Sequence, residues 1–344
     1  MKATYQKYIL KFKRPSGTSR GVLTEKESWF ILIEKDGKRG IGECGLLRGL
    51  SIDDRPDYEQ QLKWTCENIH LGKEELWKRL SEFPSIQFGV EMAFQSLAAQ
   101  DPFLLFPSEF TRGNDAIPIN GLVWMGEKAF MKDQILQKIK DGFSCIKLKI
   151  GAIDFETELD LLKFIRSEFS SVEMEIRVDA NGAFSPSEAL EKLKRLSDFT
   201  LHSIEQPIKP GQYEEMAALC EKTPLPIALD EDLIGVTSVT KKAEMLQIIQ
   251  PQYVIFKPSL IGGFNGTLEW RTLAEKKNIG WWVTSALESN VGLNAISQFT
   301  YTLENDMLQG LGTGGLYTNN FESPLKVEEG QLFYEPQVKW NFNI

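Results

Sequence analysis

Histidine and cysteine are scarce in this sequence. Among its 344 residues there are only two histidines, His70 and His202, and four cysteines. Two histidines cannot build a zinc site of several histidine ligands, and no G-x-S-x-G motif is present to indicate a serine nucleophile. The cysteines are scattered, without a C-x-x-C pair, which predicts buried thiols in a reducing cytoplasm. Acid–base chemistry is therefore expected from lysine, aspartate and glutamate.

The sequence also lacks an excess of positive charge and long apolar runs. Its 39 Lys and Arg residues are outnumbered by 48 Asp and Glu residues, which gives a net charge of −9. This charge argues against non-specific binding to nucleic acid or to a membrane surface. No apolar run approaches the length of a membrane span, and the N-terminus shows no apolar core of a secretory signal. We expect a cytoplasmic protein without nucleic-acid or membrane partners, and composition leaves its oligomeric state open.

The N-terminal part of the chain combines strand and helix signals. Residues 5–13 and 27–34 resemble strands, and the Asp36-Gly37 pair is typical of a tight hairpin turn. Residues 54–70 and 85–101 show the periodicity of amphipathic helices. These signals predict a small α+β unit.

From about residue 117 the pattern changes to short β-rich segments that alternate with amphipathic helical stretches. Eight such segments are spaced by about one βα unit: 118–124, 145–150, 174–180, 201–206, 226–231, 253–258, 281–287 and 307–312. Strands that alternate with helices pair in parallel, and eight units can close into a barrel. An open doubly wound sheet is the alternative, but its G-x-G-x-x-G turn is absent.

The chain is therefore predicted to be an α/β protein: a modified TIM (β/α) barrel with an N-terminal α+β capping domain. We place the capping domain at residues 1–112 and the barrel at residues 113–314. The final segment, residues 315–344, contains no clear βα unit and is a candidate to pack back on the capping domain.

Charged residues stand where the predicted barrel strands end. Lys147 and Lys149 share one face of the second strand, since side chains alternate, and Lys257 ends the sixth. Asp179, Glu205 and Asp230 end the third, fourth and fifth strands. Any one of these residues could be a helix cap or a solvated charge. Together they predict an active site at the C-terminal rim of a barrel, with hard oxygen ligands that suit Mg²⁺.

At these residues the sequence resembles the enolase superfamily, and within it the muconate-lactonizing subgroup. The resemblance covers essentially the whole chain. It rests on five motifs: Ile146-Lys147-Leu148-Lys149, Val178-Asp179-Ala180-Asn181, Glu205-Gln206-Pro207, Leu229-Asp230-Glu231 and Phe256-Lys257-Pro258.

The resemblance implies roles for the charged residues of these motifs and for Asn181. Asp179, Glu205 and Asp230 would bind Mg²⁺, with Asp232 as the alternative third ligand by strand alternation. Lys149 would be the general base that removes a proton beside a carboxylate, and Lys257 would face it across the site. The resemblance also implies that Lys147 would lie next to the substrate carboxylate. Asn181 and Glu231 would hold the metal ligands in place.

Residues outside the core motifs bear on the substrate. Thr284-Ser285-Ala286-Leu287-Glu288-Ser289 resembles the S-x-x-E-S segment of o-succinylbenzoate synthases, and Gly310-Leu311-Gly312-Thr313 resembles their G-L-x-T segment, with Gly312 where an Asp often occurs. We therefore expect Ser285, Glu288 and Thr313 to contact a small carboxylate substrate, together with Arg20 from the loop at residues 14–23.

This resemblance implies dehydration of a cyclohexadiene carboxylate in menaquinone synthesis. An N-acylamino acid racemase or a dipeptide epimerase of the same superfamily is the alternative, although the Asp-x-Asp pair typical of dipeptide epimerases is absent. A barrel without activity that binds small acids is the non-enzyme alternative.

Overall fold

The N-terminal part of the chain is built on an antiparallel sheet. The computed structural model describes residues 1–18 and 21–344. The sheet contains β1 (Lys2–Thr18), β2 (Gly21–Lys35) and β3 (Lys38–Cys44), in that order. Asp36 and Gly37 have φ angles of 51° and 77°, as a two-residue hairpin turn requires, so the predicted hairpin is present.

Three helices cover one face of this sheet. They are α1 (Tyr58–Glu67), α2 (Lys73–Arg79) and α3 (Pro84–Ala98). The predicted helices correspond to α1 and α3, whereas α2 was not predicted. A Cβ at Gly42 would lie 1.9 Å from the carbonyl oxygen of Gly89, so α3 packs directly against the backbone of β3.

The rest of the chain alternates strands and helices. The strands are β4 (Ile117–Pro118), β5 (Gly121–Val123), β6 (Cys145–Lys149), β7 (Glu175–Asp179), β8 (Ser203–Glu205), β9 (Ile227–Leu229), β10 (Tyr253–Phe256) and β11 (Gly280–Val283). The helices are α4 (Lys128–Lys140), α5 (Phe155–Glu168), α6 (Pro186–Ser197), α7 (Tyr213–Lys222), α8 (Val239–Ile249), α9 (Gly263–Glu275) and α10 (Asn290–Tyr301). Short 3₁₀ helices cover Ile69–Leu71, Glu231–Leu233, Pro258–Leu260 and Gly314–Leu316.

Strands β5 to β11 form one curled parallel sheet in chain order. The eighth predicted segment, 307–312, contributes only isolated bridges, from Gln309 to Ile119 and from Gly310 to Thr284. These bridges join the two outer strands and close the barrel. Gly310 lies so close to Thr284 that a Cβ at residue 310 would be 2.4 Å from Thr284 Oγ1. The segment therefore crosses Thr284 in close contact. The modified (β/α) barrel with an N-terminal α+β unit is thus confirmed, with a reduced eighth strand.

The C-terminal segment contacts both parts of the molecule. Its strands β12 (Leu325–Glu328) and β13 (Gln331–Tyr334) form a small sheet with β4. On either side of these two strands along the chain, the rings of Phe321 and Phe342 each lie 5.5 Å from that of Phe30 in β2. The division at residue 112 remains a prediction.

The barrel strands have two different faces. Apolar side chains such as Ile146, Val178 and Leu229 face the surrounding helices in one buried core. Inside the N-terminal end of the barrel, the guanidinium of Arg177 lies 4.3 Å from the ring of Trp282, and the ring of Tyr253 is 5.7 Å from that of Trp282. The charged residues occupy the opposite, C-terminal end. None of the helices in the described part of the chain is long and apolar enough to cross a membrane.

Candidate active site

The strand ends bring together the charged residues that the sequence singled out. Lys149 pairs in register with Asp179 of β7, which in turn pairs with Glu205 of β8. Asp230 directly follows β9 and Lys257 directly follows β10. Because parallel strands end at the same rim, five consecutive strands place their final side chains in one cluster.

Each lysine of the cluster contacts a carboxylate. Lys149 Nζ lies 3.0 Å from Asp179 Oδ2, and Lys147 Nζ lies 3.0 Å from the same oxygen. Lys147 also donates to Glu205. Lys257 Nζ contacts Asp230 and lies 3.8 Å from Glu205 Oε1. Three positive and three negative groups therefore compensate one another in a buried space.

This crowding changes the pKa values of the cluster. Burial alone would raise the pKa of Asp179, but Lys147, Lys149 and Lys257 hold it well below its ordinary value. Burial would lower the pKa of Lys147, yet the carboxylates of Asp179 and Glu205 raise it. Burial and the neighbouring charge of Asp179 raise the pKa of Glu205, to about 8. The lysines therefore keep the Asp179 carboxylate ionised, whereas the surroundings of Glu205 disfavour its ionised form.

A second set of polar residues holds the cluster from outside. Asn181 accepts a hydrogen bond from Lys149 Nζ at 2.7 Å and donates to Glu231 Oε1 at 2.9 Å. Asn181 thus links Lys149 to Glu231, and the supporting role of both residues toward a metal stays a prediction. Asn181 adopts a φ of 45°, which turns its amide back toward the lysine.

The predicted alternative metal ligand, Asp232, is turned away from the cluster. It accepts hydrogen bonds from Gln206 Nε2 and from the backbone N–H of Gly211, each at 2.7 Å. The expectation that it shares a face with Asp230 was wrong because the 3₁₀ helix Glu231–Leu233 ends the strand alternation after Asp230. Gln206, whose role the sequence did not reveal, also accepts from the Asp230 N–H at 3.2 Å and so orders this turn.

A cavity of about 770 Å³ opens above the charged cluster. Lys147, Lys149, Asp179, Asn181 and Lys257 form part of its barrel wall. The N-terminal part closes over it with Arg14 and Leu23, from the segment 14–23 that the sequence singled out, and with Leu47, Arg48 and Leu50, which sequence reasoning did not identify. Arg20, predicted to contact substrate, lies outside the described residues.

Ser285 and Thr313 line the same cavity, and Glu288 lies behind them. Thr313 Oγ1 donates to Ser285 Oγ at 2.8 Å, and Ser285 Oγ donates to Glu288 Oε2 at 2.7 Å. Glu288 has no exposed surface. A φ of 67° at Leu287 turns the chain after β11 and folds Glu288 beneath Ser285. The expectation of direct substrate contact by Glu288 is therefore replaced by support of Ser285.

The donor set of the cluster fits a hard divalent cation. Glu205 Oε1 is buried without a hydrogen-bond partner, at the rim where Asp179 and Asp230 also end. Such an oxygen gains much from a cation. Within residues 1–18 and 21–344, no three acidic, histidine or cysteine side chains converge as ligands, since lysine ammonium groups lie between the carboxylates. A cation would have to displace those contacts.

Comparison with protein families matches nearly all of the chain. Residues 2–97 match the family described as MenC, N-terminal domain, and residues 131–336 match the family Enolase C-terminal domain-like. The o-succinylbenzoate synthase of Desulfotalea psychrophila is 47% identical over 96% of this chain and 98% of its own. The L-Ala-D/L-Glu epimerase of Bacillus subtilis is 27% identical over 85% of this chain and 82% of its own.

Solved structures agree with the sequence matches. The crystal structure of MenC from Desulfotalea psychrophila superposes with a TM-score of 0.86 at 44% identity, covering 97% of this chain and 99% of that one. A dipeptide epimerase from Enterococcus faecalis, complexed with Mg and L-Leu-L-Tyr, superposes with a TM-score of 0.84, covering 97% of this chain and 96% of that one. At 18% identity the latter shows the shared fold alone.

Proposed function

The chain belongs to the enolase superfamily, and from this premise we propose that it catalyses the o-succinylbenzoate synthase reaction, a step of menaquinone biosynthesis. Water is eliminated from 2-succinyl-6-hydroxy-2,4-cyclohexadiene-1-carboxylate to give o-succinylbenzoate, which makes the enzyme a hydro-lyase. The observation that carries the proposal is the buried cluster of three lysines and three carboxylates, in a chain 47% identical to an o-succinylbenzoate synthase.

Lys149 is the proposed base. In its neutral form its Nζ takes the proton from the ring carbon that bears the carboxylate, and the electrons of that C–H bond move into an ene-diolate. The C–O bond to the ring hydroxyl then breaks, and Lys149 returns the proton to the departing oxygen as water. Asn181 and Asp179 hold the amine at 2.7 and 3.0 Å, which fixes its direction before substrate arrives.

The ene-diolate carries negative charge that the site must stabilise. Lys147 is placed to contact the substrate carboxylate, and Lys257 lies on the other side of Glu205 from it. Asp179, Glu205 and Asp230 are the proposed holders of Mg²⁺, which when bound supplies a further positive charge to the carboxylate oxygens. The elimination is strongly favourable because it forms an aromatic ring. The enzyme therefore needs only to stabilise one ene-diolate and to deliver one proton.

Contacts to the rest of the substrate are proposed for Ser285 and Thr313 on the barrel wall and for Arg20, which lies outside the described residues. The apolar side chains of Leu23, Leu47 and Leu50 suit the ring and methylene groups of a small dicarboxylate. A soluble substrate of this size agrees with the proposed cytoplasmic location.

A comparison of substrates tests the proposal. We expect the purified protein with Mg²⁺ to have a kcat/KM for dehydration well above its kcat/KM for racemising N-succinylamino acids or for epimerising L-Ala-L-Glu. If racemisation or epimerisation exceeded dehydration, with dehydration barely detectable, the synthase assignment would fall and the racemase alternative would replace it. If the protein turned over none of the substrates and exchanged no α-proton with solvent, the inactive-barrel alternative would stand.

A further inference from the structure

A buried lysine in the N-terminal part is linked through a serine to a buried carboxylate, away from the cluster at the strand ends. We infer that Lys26 is a positioning residue for the proposed reaction: through Ser28 and Glu43 it holds the cavity-lining start of β2 against the start of α10, which directly follows the barrel wall that carries Ser285. The inference rests on the proposed function for its substrate. It concerns the shape of the cavity rather than the chemistry at Lys149.

The first step of the argument is the position of Lys26. Its side chain is buried, with 4% of its surface exposed, and its Nζ donates to Ser28 Oγ at 3.2 Å. Ser28 Oγ in turn donates a hydrogen bond to Glu43 Oε1 at 2.6 Å. Burial lowers the pKa of Lys26, while the charges of Glu43 and Glu288 oppose that shift. The ammonium group of Lys26 reaches the Glu43 carboxylate through the Ser28 hydroxyl.

Glu43 joins the N-terminal sheet to a barrel helix. It is fully buried on β3 and accepts the backbone N–H groups of Ser289 at 2.9 Å and of Gly292 at 2.8 Å. These groups belong to the start of α10, where the helix dipole favours an anion. A Cβ at Gly292 would lie 2.9 Å from Glu43 Oε2, so only glycine permits this approach.

Glu288 carries the connection to the cavity wall. It is fully buried and accepts from Ser259, from Ser285 Oγ at 2.7 Å and from the Ala286 N–H at 2.8 Å. A carboxylate only accepts, so the hydroxyl proton of Ser285 points toward Glu288. Ser285 must then accept from Thr313, which fixes the direction of both hydroxyl groups that face the substrate.

Lys26 lies on β2 a few residues after Val22 and Leu23, which line the cavity from the other side. The chain from Lys26 through Ser28 to Glu43 therefore links the overlying strand to Ser289, just after the Ser285 wall. Removal of the ammonium group would take away the cation at the end of this chain and would loosen both walls. Lys149 is on β6, a different strand, so binding of the substrate should suffer more than proton removal.

The test measures kcat and KM of Lys26→Met, Lys26→Arg and Lys7→Met. Lys7 is an exposed lysine of β1 that pairs with Glu27 at 2.9 Å, and it serves as the matched control. For Lys26→Met we expect KM to rise about tenfold with kcat within about twofold of the parent, the pattern of lost binding rather than lost chemistry. Lys26→Arg keeps the charge and should recover most of the change, and Lys7→Met should leave both constants alone.

Other results overturn the inference. A folded Lys26→Met variant with unchanged KM does so, as does a loss confined to kcat. If Lys26→Met does not fold, Lys26→Gln, which keeps a hydrogen-bond donor but no charge, takes its place with the same criteria. If the parent protein performs no dehydration, the proposed function has failed, and the same variants are measured on whichever α-proton substrate the parent turns over best.

Discussion

Lys147 and Lys149 point from the same face of β6 but have different neighbours. Lys147 is buried between Asp179 and Glu205, and the two carboxylates raise its pKa against the effect of burial. Lys149 instead shares Asp179 with the neutral amide of Asn181. A charged Lys147 suits the binding of a carboxylate, whereas Lys149 lies at the cavity wall, where the proposed reaction needs its base.

Replacing Lys149 by alanine should therefore remove the chemistry. We expect kcat to fall by at least the factor of about 10²–10⁴ that general-base catalysis contributes. Exchange of the substrate α-proton with deuterated solvent should fall with it. Lys163→Ala, on the exposed side of α5, is the control and should keep full activity. The assignment would be reversed if Lys147→Ala abolished turnover while Lys149→Ala kept a near-normal kcat.

Asp230 and Asp232 provide a matched pair for the proposed metal. Asp230→Asn should lose most Mg²⁺ affinity and most activity, because one of three charged ligands becomes neutral. Asp232→Asn disturbs only the contacts with Gln206 and Gly211, so it should retain Mg²⁺ binding even if its melting temperature falls. Titration calorimetry with Mg²⁺, alongside circular dichroism, separates the two effects. An equal loss of affinity in both variants would contradict the assignment.

Among the elements, α3 meets α9 through one buried side chain. Glu91 of α3 accepts the backbone N–H groups of Phe264, at 2.6 Å, and Asn265, at 3.2 Å, in the first turn of α9. Burial nevertheless raises the pKa of Glu91, to about 8. The folded protein thus keeps a proton that the unfolded chain, with an ordinary glutamate pKa of about 4.3, releases.

The sign of the resulting pH dependence follows from this difference. Between about pH 4.5 and about pH 8 the folded state binds more protons than the unfolded state, so stability falls as pH rises, by up to ~1.4 kcal/mol per pH unit for this group. Glu91→Gln cannot ionise, so its free energy of unfolding relative to the parent should improve over that range. Urea unfolding at pH 5.5 and pH 8.5 measures the change, with the exposed Glu67→Gln as control. A difference independent of pH would mean that Glu91 stays ionised as a cap of α9.

The elements that sequence reasoning found are those with strong local patterns. Strands β6 to β8 alternate apolar outward residues with polar inward ones, and β6 to β10 each end in a charged residue or lead directly into one, so their order and their shared rim could be predicted. Helix α2 was missed because it is short and follows a 3₁₀ turn without a break in composition. The placements of Asp232 and Glu288 depend on backbone turns after the strands, which strand alternation does not describe.

At the scale of the whole molecule, the proposed Mg²⁺ should stabilise the fold. An ion that binds only the folded state adds about 2.7 kcal/mol when present at about 100 times its Kd. We expect the chelator-treated protein to unfold at a lower temperature than the protein in MgCl₂, with NaCl of matched ionic strength as control. Asp230→Asn should show little of this shift. An equal shift in the parent and in Asp230→Asn would place the stabilising ion elsewhere.

The stacked side chains of Arg177 and Trp282 close the interior of the barrel at its N-terminal end. Beneath the charged rim, an aromatic and guanidinium layer fills the interior, and Arg177 is further tied to the carbonyl of Leu308 at 2.9 Å. Among the described residues, substrate and products therefore reach and leave the site through the opening at the C-terminal end of the barrel. In the proposed reaction, the proton that Lys149 takes would have no route out below this layer and would remain available to the departing oxygen. The water and the product would then leave through the same opening, so that the order of their release would belong to each turnover.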